Sequence, residues 1–191
     1  MSKSIFVIVL ALLPVAAMAH AVSGSGDISE LYHPVGGWDH FLVIVAVGMI
    51  GSQLGKRAIG LVAVSLASAV IGGGVINLWQ HVISAAEWWI AISIIFLGLQ
   101  LALPKRIPIL FTYLIILVVG LSHGYEHSSR LAQATEAVLY VVSFVVTTIS
   151  LYMMGVFIGL IAIRTQRGVY KLRVFGTVIA MVGVSLVSVV Q

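Results

Sequence analysis

Six long apolar stretches follow one another along the chain, at roughly 38–54, 57–79, 84–103, 107–125, 134–163 and 171–190. At about 1.5 Å of rise per helical residue each can cover ~30 Å of hydrocarbon, the fifth with tilt or overhang. The breaks are short: Gly55-Lys56-Arg57, Gln80-His81-Val82-Ile83, Pro104-Lys105-Arg106, the segment from His127 to Gln133, and that from Arg164 to Tyr170. This spacing leaves no room for a soluble domain and predicts an all-α polytopic membrane protein, a six-helix transmembrane bundle. Composition agrees. Of 191 residues, 61% are hydrophobic and 8% charged, with a mean hydropathy of +1.17, against about 25% charged in a soluble domain. A net charge of +4 would raise nucleic-acid binding in a soluble protein. Here the placement of the charges points elsewhere, and no nucleic-acid partner is expected. Without cysteine there is no disulfide framework, thiolate metal site or Cys nucleophile.

Residues 1–19 carry the pattern of a signal peptide. Lys3 supplies a positive start, Ile5 to Val15 an apolar core, and Ala17-Met18-Ala19 a small-x-small cleavage site. The expected organisation is therefore a leader over 1–19 and one transmembrane domain over 20–191. Cleavage after Ala19 would place His20 at the new N-terminus, where its imidazole and the free amine form a two-nitrogen chelate. Cleavage after Ala17 would place His20 third, able to wrap Ni(II) or Cu(II) in a square plane. His20 can equally be a bystander of the scissile bond.

The charges orient the bundle. Lys56, Arg57, Lys105, Arg106, Arg164, Arg167, Lys171 and Arg173 fall at alternate span ends, on one side, and of the basic residues after the leader only Arg130 lies on the other. The positive-inside rule makes that side cytoplasmic and puts the mature N-terminus outside, as an exported leader also requires. A multi-pass protein of a bacterial inner membrane, with a periplasmic N-terminus, is the expectation. All six acids (Asp27, Glu30, Asp39, Glu87, Glu126, Glu136) then map to the outer side. All six histidines (His20, His33, His40, His81, His123, His127) and all four tryptophans (Trp38, Trp79, Trp88, Trp89) map there too. Tryptophans suit an interfacial belt, but no topological rule asks the same of histidines.

Two clusters carry chemistry. His33-Pro34-Val35-Gly36-Gly37-Trp38-Asp39-His40 lies at the entrance to the first helix. There Pro34 and the glycines predict a turn that folds His33 back over Asp39 and His40. Capping would explain Asp39 but not the two flanking histidines. The second cluster, His123-Gly124-Tyr125-Glu126-His127, ends the fourth helix. His123 and His127 are four apart, on one face, and can share a metal ion with Glu126 beside them. Glu87 opens the third helix on the same side. Ionisable groups at membrane depth are functional by default. Nitrogen and oxygen donors suit Ni(II), Co(II), Zn(II) or Cu(II), and the Irving–Williams order does not choose among them. Imidazoles must be neutral to bind, so affinity should fall below about pH 6. A bound or transported divalent metal is expected, with no prosthetic group.

Gly120-x-x-x-Gly124 and Gly155-x-x-x-Gly159 read as seams for close helix packing. Gly72-Gly73-Gly74 reads as packing surface, or else as a break exposing carbonyls to an ion. Gln53, Ser65, Ser68, Ser93, Gln100, Thr147, Thr148 and Ser150 either line a polar route or back-bond within their helices. The inner half of the bundle holds no acid and no histidine.

The pattern His33-Pro-x-x-Gly-x-Asp39-His40, continuing through Val47-Gly48, closely resembles the signature of the HupE/UreJ family of hydrogenase- and urease-associated membrane proteins. The resemblance spans nearly the whole chain and extends weakly to Glu87-x5-Ser93-x4-Gly98. It implies an uptake permease for nickel, in some members cobalt, supplying metalloenzyme maturation. It also implies that His33, Asp39, His40, Glu87, His123 and His127 belong to the metal path. The family's fourth-helix pattern is approximately His-Gly-x-Ala-His-Gly-x-Glu. Here Glu126 replaces Ala, Ser128 replaces Gly, and Arg130 stands at the Glu position. Either Glu126 takes over the carboxylate's role one turn earlier, or the chain belongs to a branch with a different metal or none.

Two other functions use the same residues. His123-x-x-Glu126-His127 reads literally as H-x-x-E-H, the zinc and general-base motif of a hydrolase, here membrane-embedded with a third ligand from His33, Asp39 or His40. A metal sensor or chaperone would bind without conducting. The expected partners are the metal ion, the bilayer and further copies of the same chain.

Overall fold

The computed structural model describes residues 35–78, 86–103, 107–131 and 137–189. They form six α-helices: α1 (Val35–Leu54), α2 (Lys56–Leu78), α3 (Ala86–Ala102), α4 (Ile109–Leu131), α5 (Ala137–Ala162) and α6 (Gln166–Val189). The expected leader over 1–19, with His20, His33, His81 and Glu136, lies outside the described residues. Four helical stretches are long and apolar enough to cross a membrane: Lys56–Leu78, Ile109–Ser129, Phe144–Ala162 and Gln166–Ser188. Within α1 and α3 the apolar helical stretches are shorter, His40–Leu54 and Trp88–Ala102.

Three boundaries differ clearly from the hydropathy reading. α1 begins at Val35, so Gly36 and Gly37 are helical and do not form the expected turn. α4 continues to Leu131, past the expected end at 125. Its polar last turns keep their hydroxyls bonded to their own backbone, Ser128 and Ser129 both donating to the Tyr125 carbonyl at 2.9 and 3.3 Å. α6 starts at Gln166 because Thr165 caps it, its Oγ1 accepting the Gly168 N–H at 3.0 Å. Arg167, Lys171 and Arg173 therefore lie within its first two turns. Between α1 and α2 the chain reverses at Gly55, whose φ of 109° is open to glycine at little cost.

The helices pack chiefly as three pairs, α2 with α4, α3 with α6, and α1 with α5. Each pair closes over glycines. A Cβ on Gly155 would run into the Val45 carbonyl, and one on Gly48 into the backbone of Tyr152 and Val156. Gly73 meets the Leu121 carbonyl and Gly124 that of Val70. Gly98 and Gly176 meet across α3 and α6. Backbones this close gain dispersion contacts that lipid tails cannot match, which is the main force between helices in an apolar solvent. The glycine triplet Gly72-Gly73-Gly74 is thus packing surface inside an unbroken α2, and not a break.

α1 is the central helix. Every residue from Val43 to Ser52 is buried, and α2, α3 and α5 pack around it. A helix apolar round its whole circumference suits a position enclosed by protein. The outward faces of the others are also apolar: Val64, Ile71 and Leu78 on α2, Leu110 and Phe111 on α4, Met181 and Val184 on α6 are all exposed. This is the surface expected where the solvent is hydrocarbon.

Candidate metal site

His40 lies in the second turn of α1 and is 4% exposed; His123, two turns before the end of α4, is 1% exposed. Their ring centroids are 5.5 Å apart. His127, one turn further along α4 and half-buried, brings its ring to 4.9 Å from that of His40, close to edge-on at 70°. α1 and α4 touch only lightly elsewhere, so the meeting is local to these helix ends. Phe144 of α5 closes the cluster, its ring centroid 4.4 Å from His127 and 5.6 Å from His40. Three imidazoles from two helices are thus gathered under an aromatic cover.

One ring nitrogen of His123 is engaged by its own helix. Its Nδ1 lies 2.9 Å from the Val119 carbonyl. A carbonyl only accepts, so Nδ1 is the donor and Nε2 is the nitrogen left for another partner. That Nε2 is buried and has no hydrogen-bond partner among the described residues. An imidazole whose far nitrogen is tied to a carbonyl, and whose near nitrogen is unspent, is oriented as a metal ligand usually is.

Glu126 is half-buried beside His127. Among the described residues no group of three or more His, Asp or Glu side chains is arranged to hold a metal ion. Asp39 and Glu87 belong to α1 and α3, but their side chains lie outside the described residues, as do His20 and His33 entirely. One point about Asp39 is settled by the backbone. It is in the second turn of α1, too far along to be an N-terminal cap.

Sequence reasoning missed three participants. Phe144 is one of many apolar residues on α5 and carries no sequence signal. The Val119 carbonyl was findable, since an i−4 carbonyl is within reach of a helical histidine. Asn77, an amide near the C-terminal end of α2, donates to Ser128 at 2.6 Å and to Ser129 at 2.9 Å. A polar amide in an apolar span was the available signal.

An all-helical bundle, apolar outside, with imidazoles buried together at one end, defines a class of polytopic protein with a histidine-based polar site. The profile of the HupE / UreJ protein family matches residues 8–186. The chain is also 33% identical over 181 residues to Protein HupE of Rhizobium leguminosarum bv. viciae, covering 93% of this chain and 94% of that protein. The chain belongs to the HupE/UreJ family. No solved structure matches it. Neither match relates it to a hydrolase.

Proposed function

We propose that the protein is an uptake permease for a divalent transition metal, nickel foremost and cobalt the alternative, which supplies metalloenzyme maturation. The observation that carries this reading is the buried Nε2 of His123, held beside the rings of His40 and His127. Burying such a nitrogen without a partner costs about 1–3 kcal/mol, a cost offset when a cation is bound. Family membership supports the metal class, and Glu87, Asp39, His33, Glu126 and His20 are the side chains proposed to complete the donor set. Six spans across the inner membrane, with the cleaved N-terminus outside, would set this cluster toward the periplasm and the basic inner ends toward the cytoplasm.

The test is radiolabelled nickel and cobalt uptake by cells producing the wild type or His40→Ala. Metal-dependent uptake by the wild type, lost in the variant, is expected. A wild type present in the membrane that takes up no more metal than vector controls overturns the reading.

A further inference from the structure

Away from the histidines, part of the positive charge stands inside a helix. Phe144, which touches the histidine cluster, lies about 27 Å from the C-terminal end of α5 at 1.5 Å per residue. At that end the chain turns through Arg164 and Thr165 into α6. The corner is tight, since a Cβ on Gly168 would run into the Ala162 carbonyl. Further along, Gly176 and Gly183 press against the backbone of α3. These contacts fix the rotation of α6 about its own axis. Leu172, Gly176, Ile179, Ala180 and Gly183 form its buried side. Arg167, Tyr170, Lys171, Val174, Val178 and Met181 are all exposed on the opposite side, within about 100° of the circumference at 3.6 residues per turn.

Two cations are thus in line with an apolar stripe on one outward face. Lys171 is a turn further along than Arg167, and Val174 follows about 4.5 Å beyond it. No acid occurs in the sequence after Glu136, so neither α5 nor α6 supplies a counter-charge. The positive-inside rule asks for cations near span ends, which Lys56, Arg57, Lys105 and Arg106 already provide. It does not ask that two be carried into a helix in register with its outward apolar residues. A bilayer matches both halves of such a face, with phosphate at the boundary and hydrocarbon beneath. Guanidinium and ammonium groups pair strongly with phosphate oxygens. A lysine stem can lie along apolar surface while its charge reaches the headgroups, and Tyr170 has the amphipathic ring that suits headgroup depth. We propose that Arg167 and Lys171 hold the phosphate of an anionic phospholipid, with an acyl chain laid along Val174, Val178 and Met181. The site rests on the bundle's place in a bilayer and is independent of the metal reading. Basic residues beside a membrane span attract anionic lipid by roughly fivefold in affinity for each cation.

The experiment titrates the purified full chain in neutral detergent with phosphatidylglycerol and, separately, with phosphatidylcholine, counting bound lipid by native mass spectrometry. The double variant Arg167→Gln, Lys171→Gln removes both charges, and Lys171→Arg keeps its charge. Arg173→Gln removes an exposed charge on another side of the same stretch of α6. All three positions are exposed, and matching unfolding midpoints without lipid check that each variant is folded. Wild type is expected to prefer phosphatidylglycerol by about tenfold or more. The double variant should lose that preference, while Arg173→Gln and Lys171→Arg stay within about twofold of wild type. Equal binding of the two lipids by wild type overturns the site, as does a double variant that keeps the preference. Arg173→Gln losing as much as the double variant also overturns it, because net charge alone is then at work. Displacement of the lipid by excess inorganic phosphate would assign the two cations to free phosphate and overturn the lipid site. A wild type absent from the membrane fraction of producing cells removes the bilayer reading and the site together.

Discussion

The rings of His40 and His127 meet at 4.9 Å, one from the second turn of α1 and the other from the last turns of α4. No local feature of either helix brings them together. The contact exists because α4 continues beyond Tyr125, which lifts His127 one turn above His123 on the face turned to α1.

Replacing His123 with alanine is expected to weaken nickel binding by at least about tenfold, because its Nε2 has no hydrogen-bond partner among the described residues. Titration of purified protein with radiolabelled nickel checks this, and an unchanged affinity would remove His123 from the site. The same titration repeated at falling pH should show weaker binding. Protons compete for the imidazole lone pairs, so the effect runs in that direction only.

Asn77→Ala should act at a distance from the metal. It removes two hydrogen bonds from Asn77 to Ser128 and Ser129 while both hydroxyls keep the Tyr125 carbonyl. A loss of about 1–2 kcal/mol in stability is expected, together with a several-fold weaker nickel affinity as the turn carrying His127 loosens. Unaltered binding in the destabilised variant would confine Asn77 to a purely structural role.

Glycines in the seams and glycines facing outward should respond oppositely. Gly124→Leu forces a side chain into the Val70 backbone and should cost about 3 kcal/mol or more, with reduced membrane abundance. Gly60, on α2, has nothing within 4 Å of an added Cβ, so Gly60→Ala should raise stability by about 0.5–1 kcal/mol through helix propensity. Thermal unfolding of the two purified variants decides; equal effects would contradict the packing described.

Gly55→Ala is a case of strain without collision. Space is open around the residue, but its φ of 109° disfavours any side chain. The unfolding midpoint should drop by the equivalent of about 1 kcal/mol, and a variant as stable as wild type would show that the α1–α2 turn can relax into another conformation.

Much of this architecture was legible in the sequence, because lipid enforces a simple rule. Backbone polar groups that cannot reach water must pair within a helix, so long apolar runs translate directly into helices. Gly120, Gly124, Gly155 and Gly159 were legible as seams for the same reason, since in an apolar solvent only close backbone approach distinguishes one helix face from another. Helix ends were less legible. Hydropathy stopped α4 at Tyr125 and delayed α6 to Lys171, whereas α4 runs on through the polar Ser128 and Ser129 and Thr165 caps α6 ahead of its basic residues, features that hydropathy does not register.

The candidate site divides along the same line. That His123 and His127 share a face followed from their spacing of four, and that His40 lies toward the same end followed from counting spans. By itself, then, the sequence determined the helices, the common end of His40, His123 and His127 and the glycine faces that close the bundle. Tertiary structure alone decided that α1 is enclosed and that Phe144 covers the imidazoles. The reason is physical: helical periodicity orients a side chain about its own axis, but with every face apolar it carries no information about which helix stands opposite.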